Sequence, residues 1–257
     1  MTTGVRKTGD FCWINMLTSQ PKESEEFFSK VLGWTYGDLG GMGSSIKVDG
    51  HEIGGLFDLG GPNTPPGTPA GIGVMVKVDD ADAMVAKCNS LGGKAKPAMD
   101  IMDAGRMAEI KDPNGAQIDI WQPKKQIASQ ADTNSHGAPS WFENYALDVD
   151  RATKFYSDLF GWTPEVMQMP GMTYTTFKLG DVPIAGMMAS THATAEMPNV
   201  WSTYFTVDDV DKRAAQAQEI GGSVFVPPLD IPTVGRFSGL ASPQGVKFFV
   251  IKYTPRA

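Results

Sequence analysis

The chain has 257 residues, of which 22 are basic and 29 acidic, so its formal net charge is −7. A chain with excess negative charge does not attract a polyanion, so nucleic acid is not expected as a partner. No segment approaches the roughly 18 apolar residues of a membrane span, and two cysteines provide neither a disulfide framework nor a zinc clip. We therefore expect a cytoplasmic globular protein that does not enter the membrane.

The first predicted elements are a strand and a helix. Residues 13–18 form a short apolar run that is typical of a strand. Residues 22–32 then place Phe27 and Val31, with their neighbours Phe28 and Leu32, on one face of a helix. A glycine follows directly, at a position that commonly ends helices.

The next elements repeat this order. Asp49-Gly50 is a hairpin signal between strand-like residues 45–48 and 52–57. Residues 72–78 predict another strand, and Asp80 then stands where it caps a helix that ends at Gly92-Gly93. Two more strands are predicted at 107–110 and 116–121, joined by a turn at 112–115.

The second half of the chain repeats the first. Trp13 and the segment FFSKVLGW at 27–34 recur 128 residues later as Trp141 and FYSDLFGW at 155–162. Later landmarks recur at offsets of 129 and 130, which includes Gly105-Arg106 and Gly235-Arg236. We predict an α+β protein of four strand–helix–three-strand units, forming two tandem domains at 8–123 and 138–254 with a linker at 124–137. A curved sheet built from two such units leaves a concave face suited to a small molecule.

The repeated residues carry a family resemblance. The pattern F-[FY]-x-x-x-[LF]-G-W, then V-D-D-x-D, then G-G, then P-x-G before a last strand, resembles the vicinal oxygen chelate superfamily. This superfamily includes glyoxalase I, extradiol dioxygenases, and fosfomycin- and bleomycin-resistance proteins. The resemblance implies two glyoxalase-like domains, each with a curved mixed sheet around a cleft, but one scaffold of this kind hosts many reactions.

The resemblance also implies where metal ligands belong. Metal-using members place a His or Gln on the first strand of a unit and a Glu on its last strand. The corresponding positions are Trp13, Gly73 and Asp119 in the first copy and Trp141, Ser202 and Phe249 in the second. An indole offers no lone pair to a cation, and a catalytic metal needs about three convergent ligands. We therefore expect no metal and no other cofactor.

Two polar residues follow the tryptophans on the same strand face. Asn15 and Glu143 each stand two positions beyond Trp13 and Trp141. A carboxylate that points into an apolar cleft has a raised pKa and can act as a base. The alternative is a structural Glu143 that pairs with Arg236 or with a backbone amide. The same two interpretations apply to Asp119.

Further candidates for ligand binding are aromatic or cationic. Tyr204 and Phe249, together with the two first-strand tryptophans, would line the clefts with flat apolar surface or fill the core. Arg106 and Arg236 each follow a glycine at the start of a strand. Their guanidinium groups would meet an anionic ligand or, as the more common alternative, form ion pairs at the domain surface.

These observations favour a protein that binds a small, partly aromatic or apolar molecule in a cleft without a bound metal. The alternative is a metal-dependent enzyme of the glyoxalase or dioxygenase type, with Asp119, Glu143 and His51 as non-standard ligands. The sequence does not choose between the two clefts, and one copy could serve only to shape the other. It leaves both a monomer and a homodimer open.

Overall fold

The first domain is a strand–helix–strand array that occurs twice and forms one sheet. We describe it from a computed structural model, in which residues 4–61, 64, 67–126, 128–169, 171–192 and 199–255 are described. Its elements are β1 (Phe11–Thr18), α1 (Pro21–Leu32), β2 (Thr35–Asp38), β3 (Ser44–Val48), β4 (His51–Asp58), β5 (Gly71–Lys77), α2 (Ala81–Ser90), β6 (Lys94–Ala95), β7 (Met99–Ile101), β8 (Gly105–Lys111) and β9 (Gln117–Pro123).

The second domain repeats the arrangement after a linker. Its elements are β10 (Pro139–Ala146), α3 (Val149–Phe160), β11 (Thr163–Met169), β12 (Met172–Leu179), β13 (Val182–Ala189), β14 (Trp201–Thr206), α4 (Val210–Glu219), β15 (Ser223–Ile231), β16 (Gly235–Ala241) and β17 (Lys247–Tyr253). The predicted α+β class and the two tandem domains are confirmed.

Each sheet places the first strands of its two units side by side. The strand order is β2-β3-β4-β1-β5-β9-β8-β6 in the first sheet, where β7 also pairs with β8, and β11-β12-β13-β10-β14-β17-β16-β15 in the second. Strands β1 and β5 are antiparallel neighbours, as are β10 and β14, and each of the four also pairs in parallel with the last strand of its own unit. The middle of each sheet is therefore formed by the first strands of its two units, which carry Trp13 and Asn15 in the first sheet and Trp141, Glu143 and Tyr204 in the second.

Local sequence signals account for the ends of the helices. The side chains of Asp80, Asp148 and Asp209 each accept a hydrogen bond of 3.0 Å from the third backbone N–H that follows. These bonds satisfy donors that a helix leaves unpaired at its N-terminus. Gly33 ends α1 in the left-handed conformation, with φ at 68°, where a side chain would be strained. The predicted cap at Asp80 and the predicted end of the first helix at Gly33 are confirmed.

The two domains share one hydrophobic core between their sheets. Helix α1 packs against α4, and α2 packs against α3. The rings of Phe11 and Phe142, from β1 and β10, stack at 4.0 Å between centroids. Among the residues that the structure describes, no helix is long and apolar enough to cross a membrane.

Candidate functional site

The concave face of the second sheet bounds a cavity of about 810 Å³. Strand alternation places Glu143 and Tyr145 of β10 in this cavity, while Asn144 is buried on the other face. Neighbouring strands supply more rings. The aromatic residues of the second domain that line the cavity are Trp141, Phe142, Tyr145, Tyr174, Tyr204, Phe237, Phe249 and Tyr253. The result is a large and mostly apolar pocket, in which Glu143 is the carboxylate contributed by the central strand β10.

Glu143 accepts hydrogen bonds from three tyrosine hydroxyl groups. The Tyr174 hydroxyl donates to its Oε1 at 2.7 Å, and the Tyr204 and Tyr145 hydroxyls donate to its Oε2 at 2.7 and 2.9 Å. The Trp141 Nε1–H donates in turn to the Tyr174 hydroxyl at 3.1 Å. Glu143 itself is only 4% exposed. These five residues, which we call the carboxylate–tyrosine cluster, form a connected and satisfied buried network.

A glycine makes room for this network. Gly186 of β13 pairs with Glu143 of β10 and with Thr176 of β12. A Cβ atom at Gly186 would lie 1.8 Å from the Tyr174 hydroxyl oxygen and 3.1 Å from Trp141 Nε1. The tyrosine hydroxyl therefore lies directly over the glycine, and a larger residue there is incompatible with the cluster.

Burial dominates the electrostatics of the cluster. It raises the pKa of Glu143, and the three tyrosine hydrogen bonds oppose this effect. The pKa values of Tyr145, Tyr174 and Tyr204 are also raised, first by burial and then by the neighbouring carboxylate. In the part of the chain that the structure describes, no cation contributes to the pKa shift of Glu143. Burial therefore explains the raised pKa that the sequence predicts for Glu143. The alternative of an ion pair with Arg236 is not observed, because Arg236 bonds Asp211 and Asp230.

The other charged residues around the cavity have charged neighbours of opposite sign. Lys178 of β12 forms an ion pair with Glu165 of β11. Near the first domain, burial raises the pKa of Asp10 to about 6, while the nearby Arg6 guanidinium opposes the shift. Glu143 is thus the one acid among the described lining residues without a basic neighbour.

The mouth of the cavity is apolar and exposed. Met167 and Met169 of the edge strand β11 line it with 44% and 40% of their surface exposed. Leu229 and Val234, at the opposite end of the sheet, also line it and are similarly exposed. Flexible methionine side chains at a pocket entrance adapt to ligands of different shapes.

The linker packs onto part of the corresponding face of the first sheet. Ala128 packs there with Cys12, Met75 and Trp121 in a small buried cluster, against which Trp13 also packs. The Asn15 amide contacts the Met75 sulfur at 3.4 Å. Trp13 also lines the large cavity, whereas Asn15 does not.

Asp119 lies in the first domain, away from Glu143. It is 5% exposed and accepts a hydrogen bond from the Gln117 side chain at 3.1 Å. Burial raises its pKa to about 7, and the carboxylate of Glu109 on the paired strand adds to the shift. This residue has the raised pKa that the sequence predicts, but it does not line the cavity.

The two predicted arginines do not line the cavity either. Arg106 bonds both carboxylate oxygens of Asp82 and one of Asp100, at 2.9–3.0 Å. Arg236 does the same with Asp211 and Asp230, at 2.7–2.9 Å. Both guanidinium groups therefore tie the start of a helix to a strand, and their expected role in binding an anionic ligand is corrected to the surface alternative.

The residues present do not fit a metal ion. Trp141 donates its N–H, and Phe249 stacks on Tyr204 at 4.5 Å between centroids, so neither offers a ligand atom. Both oxygens of Glu143 already accept tyrosine hydroxyls. Within the described ranges, no three His, Cys, Asp or Glu side chains gather as a metal-binding group.

The ligand set of the metal-dependent alternative is also separated in space. Asp119 and Glu143 belong to different sheets, and His51 is exposed at the start of β4. His136 of the linker accepts a hydrogen bond from the backbone N–H of Asp208. The side chain of His192 lies outside the described residues. The alternative therefore lacks a set of donors that converges on one point.

Two residues of the cluster, Tyr145 and Tyr174, and the adjacent Gly186 were missing from the sequence-based candidates. Tyr145 stands two positions after Glu143 and so shares its strand face, a signal that the alternation of a strand provides. Tyr174 and Gly186 come from β12 and β13, and their approach to Glu143 depends on the pairing of those strands. Five predicted residues do meet in the cavity, namely Trp13, Trp141, Glu143, Tyr204 and Phe249.

Comparison with known proteins places the chain among relatives of nearly the same length. It is 36% identical over 255 residues to CFP32 of Mycobacterium tuberculosis, which is named as a candidate glyoxylase, with 95% of each chain covered. It is 30% identical over 256 residues to the anthracycline biosynthesis protein DnrV of Streptomyces peucetius, with 93% of this chain and 92% of that protein covered.

Solved structures support the same fold at low sequence identity. An extradiol ring-cleaving dioxygenase from B. fuscum superposes with a TM-score of 0.68 at 11% identity, covering 98% of this chain and 74% of that one. The Mn(II)-bound glyoxalase from Novosphingobium aromaticivorans gives a TM-score of 0.67 at 12% identity, covering 98% and 83%. The glyoxalase/bleomycin resistance protein/dioxygenase family model matches residues 11–120 and again residues 140–250, and the chain therefore belongs to this superfamily.

Proposed function

We propose that this protein binds a small, planar and partly aromatic molecule in the cavity of its second domain, without a bound metal. The observation that carries the proposal is the carboxylate–tyrosine cluster, which fills the wall where metal-using relatives of this fold would need ligands. Flat rings surround the cluster, and such rings favour stacking with a planar ligand.

The size and composition of the cavity support this class of ligand. A volume of about 810 Å³ lies within the range of sites for small molecules and cofactors. The walls are mostly aromatic and aliphatic, with a few convergent polar groups that can orient a ligand. The name of a relative at 30% identity, an anthracycline biosynthesis protein, supports a polycyclic aromatic ligand.

The cluster bears against the metal-dependent alternative. A divalent ion would have to displace tyrosine hydroxyls from Glu143 and would find indole and phenyl rings at the adjacent positions. One carboxylate does not meet the coordination requirement of a catalytic metal.

The test combines ligand binding with metal analysis. Calorimetric titration with 2-naphthol, a planar aromatic probe, is compared for the unmodified protein, Glu143→Gln and Asp119→Asn. We expect binding that Glu143→Gln weakens and Asp119→Asn leaves within about twofold, with the probe recovered unchanged by chromatography. Elemental analysis after incubation with Mn²⁺, Fe²⁺, Ni²⁺ or Zn²⁺ and removal of free ions is expected to show less than stoichiometric metal.

Two results would contradict the proposal. One is a stoichiometric metal whose removal abolishes binding of the probe. The other is the loss of probe affinity in Asp119→Asn with no change in Glu143→Gln, which would assign the ligand to the first domain.

A further inference from the structure

Among the described residues that line the cavity of the second domain, Glu143 is an acid whose charge no basic group balances. The other charged pairs among its described lining residues, Lys178 with Glu165 and Arg6 with Asp10, combine opposite charges. The described residues that hydrogen-bond to Glu143 are three tyrosines, which offer it hydroxyl groups and rings. An ionised carboxylate buried without a cation is costly, so a ligand that supplies positive charge gains more from this site than a neutral one.

The hydrogen-bonding capacity of the cluster points to the same kind of ligand. The hydroxyl protons of Tyr145, Tyr174 and Tyr204 are all directed at Glu143, and the Trp141 N–H is directed at Tyr174. The hydrogen-bonding capacity that the cluster does not use internally consists of lone pairs on the tyrosine oxygens and on Oε1 of Glu143. The cluster can therefore accept hydrogen bonds from a ligand, while its donors are already used.

The rings around the cluster add a third contribution. Tyr204 and Phe249 are stacked, and Phe237, which also lines the cavity, lies 6.2 Å from Tyr204 and 6.3 Å from Phe249 between ring centroids. Organic cations are attracted to the faces of such rings, and more strongly where water is excluded. An anionic ligand is repelled both by the negative ring faces and by the carboxylate.

We propose that this cavity selects aromatic ligands that carry a protonated amine, and that the carboxylate–tyrosine cluster receives the ammonium group. This assignment rests on the proposed function and narrows the ligand class to organic cations. The same site disfavours anionic aromatic compounds, because the hydroxyl protons of the three tyrosines are directed at Glu143.

The experiment compares probes that share one ring system and differ in one group. Calorimetric titrations at pH 7 use 2-naphthylmethylamine as the cation, 2-naphthol as a neutral donor, 2-methoxynaphthalene as a neutral compound without a donor, and 2-naphthoate as the anion. We expect the amine to bind about tenfold more tightly than the naphthol or better, and the naphthoate to bind most weakly of the four.

Two variants assign the preference to the cluster. Glu143→Gln removes the charge and keeps the shape, and it is expected to reduce the ratio of amine to naphthol affinity to about twofold or less. Glu219→Gln removes the same charge from the exposed end of α4, and it should retain the ratio of the unmodified protein. Tyr174→Phe keeps the carboxylate and deletes one hydroxyl, so it should retain a preference for the amine even if Glu143→Gln fails to fold.

The outcomes separate this inference from the proposed function. Naphthol that binds as tightly as the amine, or naphthoate that binds more tightly, would overturn the cation preference and leave aromatic binding intact. Persistence of the full preference in a folded Glu143→Gln variant would overturn the role of the cluster. The absence of binding by all four probes would overturn the proposed function itself.

Discussion

Gly186 shows how one small residue permits the cluster. Replacing it with alanine is expected to displace the Tyr174 ring, because the new Cβ would overlap the hydroxyl oxygen. Loss of the buried bond to Glu143 should lower the free energy of unfolding by about 1–3 kcal/mol and weaken probe binding. Urea unfolding and calorimetry measure the two effects.

The matched control for this substitution is Gly71→Ala in β5. A Cβ at Gly71 has no atom within 4 Å, so its stability should stay within about 0.5 kcal/mol of the unmodified protein. If Gly186→Ala behaves like Gly71→Ala, the tyrosine does not need the space that we assign to the glycine.

The raised pKa of Asp119 predicts that the stability of the protein changes with pH. Its pKa is about 7 in the folded protein, above the value of about 4 for a free carboxyl group, so the folded state holds the proton more tightly. Stability should therefore fall as pH rises from about 4 to 7. Asp119→Asn keeps an acceptor for Gln117 and removes this titrating proton. Between pH 5 and 8, the free energy of unfolding of this variant should therefore fall by about 1–3 kcal/mol less than that of the unmodified protein.

Urea unfolding at pH 5, 6, 7 and 8 measures this difference. The buried Asp10 and Glu143 titrate in both proteins, so their contributions cancel when the two curves are subtracted. Parallel curves for Asp119→Asn and the unmodified protein would show that the proton of Asp119 is not retained on folding.

Residues on one strand were easier to predict than residues brought together by several strands. Alternation along β10 identified Trp141 and Glu143 as neighbours on one face, and the duplication identified their counterparts Trp13 and Asn15. The partners of Glu143 escaped prediction because a sequence pattern does not specify which hydroxyl reaches which carboxylate. Arg106 and Arg236 were ambiguous for the same reason, since their acidic partners lie 6 to 25 residues away.

At the scale of elements, one tryptophan after α1 and one after α3 each bond to the segment that precedes the first strand of the other domain. Trp34 follows α1 and donates its Nε1–H to the Gly137 carbonyl at 2.8 Å, just before β10. Trp162 follows α3 and donates to the Gly9 carbonyl at 2.7 Å, just before β1. The repeat thus places the same bond at both ends of the domain interface.

Trp34→Phe and Trp162→Phe should therefore destabilise the protein to a similar extent. Each leaves a buried carbonyl without its donor and removes ring volume, at a cost of about 1–3 kcal/mol. Thermal unfolding should show a melting temperature lower by several degrees in both variants, while probe affinity remains within about twofold. A large loss of stability in only one variant would contradict the equivalence of the two contacts.

The edge strand β11 provides a test of the cavity mouth. Met167 and Met169 line the cavity, whereas Val166 between Glu165 and Met167 is exposed and does not. The double substitution Met167→Gln and Met169→Gln should weaken naphthyl probe binding about two- to tenfold by removing apolar contact, with stability within about 0.5 kcal/mol. Val166→Gln should change neither quantity. If Val166→Gln weakens probe binding as much as the double methionine substitution does, β11 affects binding through its conformation and not through contact of its methionines with the probe.

At the scale of the whole molecule, the two copies have the same fold and different concave faces. The linker residue Ala128 packs onto the first sheet beside Cys12, Met75 and Trp121. Rings and the carboxylate–tyrosine cluster surround about 810 Å³ at the second sheet. The duplication therefore retains both sheets as a scaffold, through the shared core of Phe11 and Phe142, while polar chemistry differs between the copies.

This difference predicts the binding stoichiometry. A protein with two equivalent clefts would take two ligands, but here linker residue Ala128 packs onto part of the first face, and that face lacks the carboxylate–tyrosine cluster. We expect calorimetry with 2-naphthylmethylamine and native mass spectrometry to give one bound molecule per chain, and Glu143→Gln to reduce occupancy of that single site. A second molecule of comparable affinity, retained in Glu143→Gln, would mean that ligand displaces the linker and that the first cleft also binds.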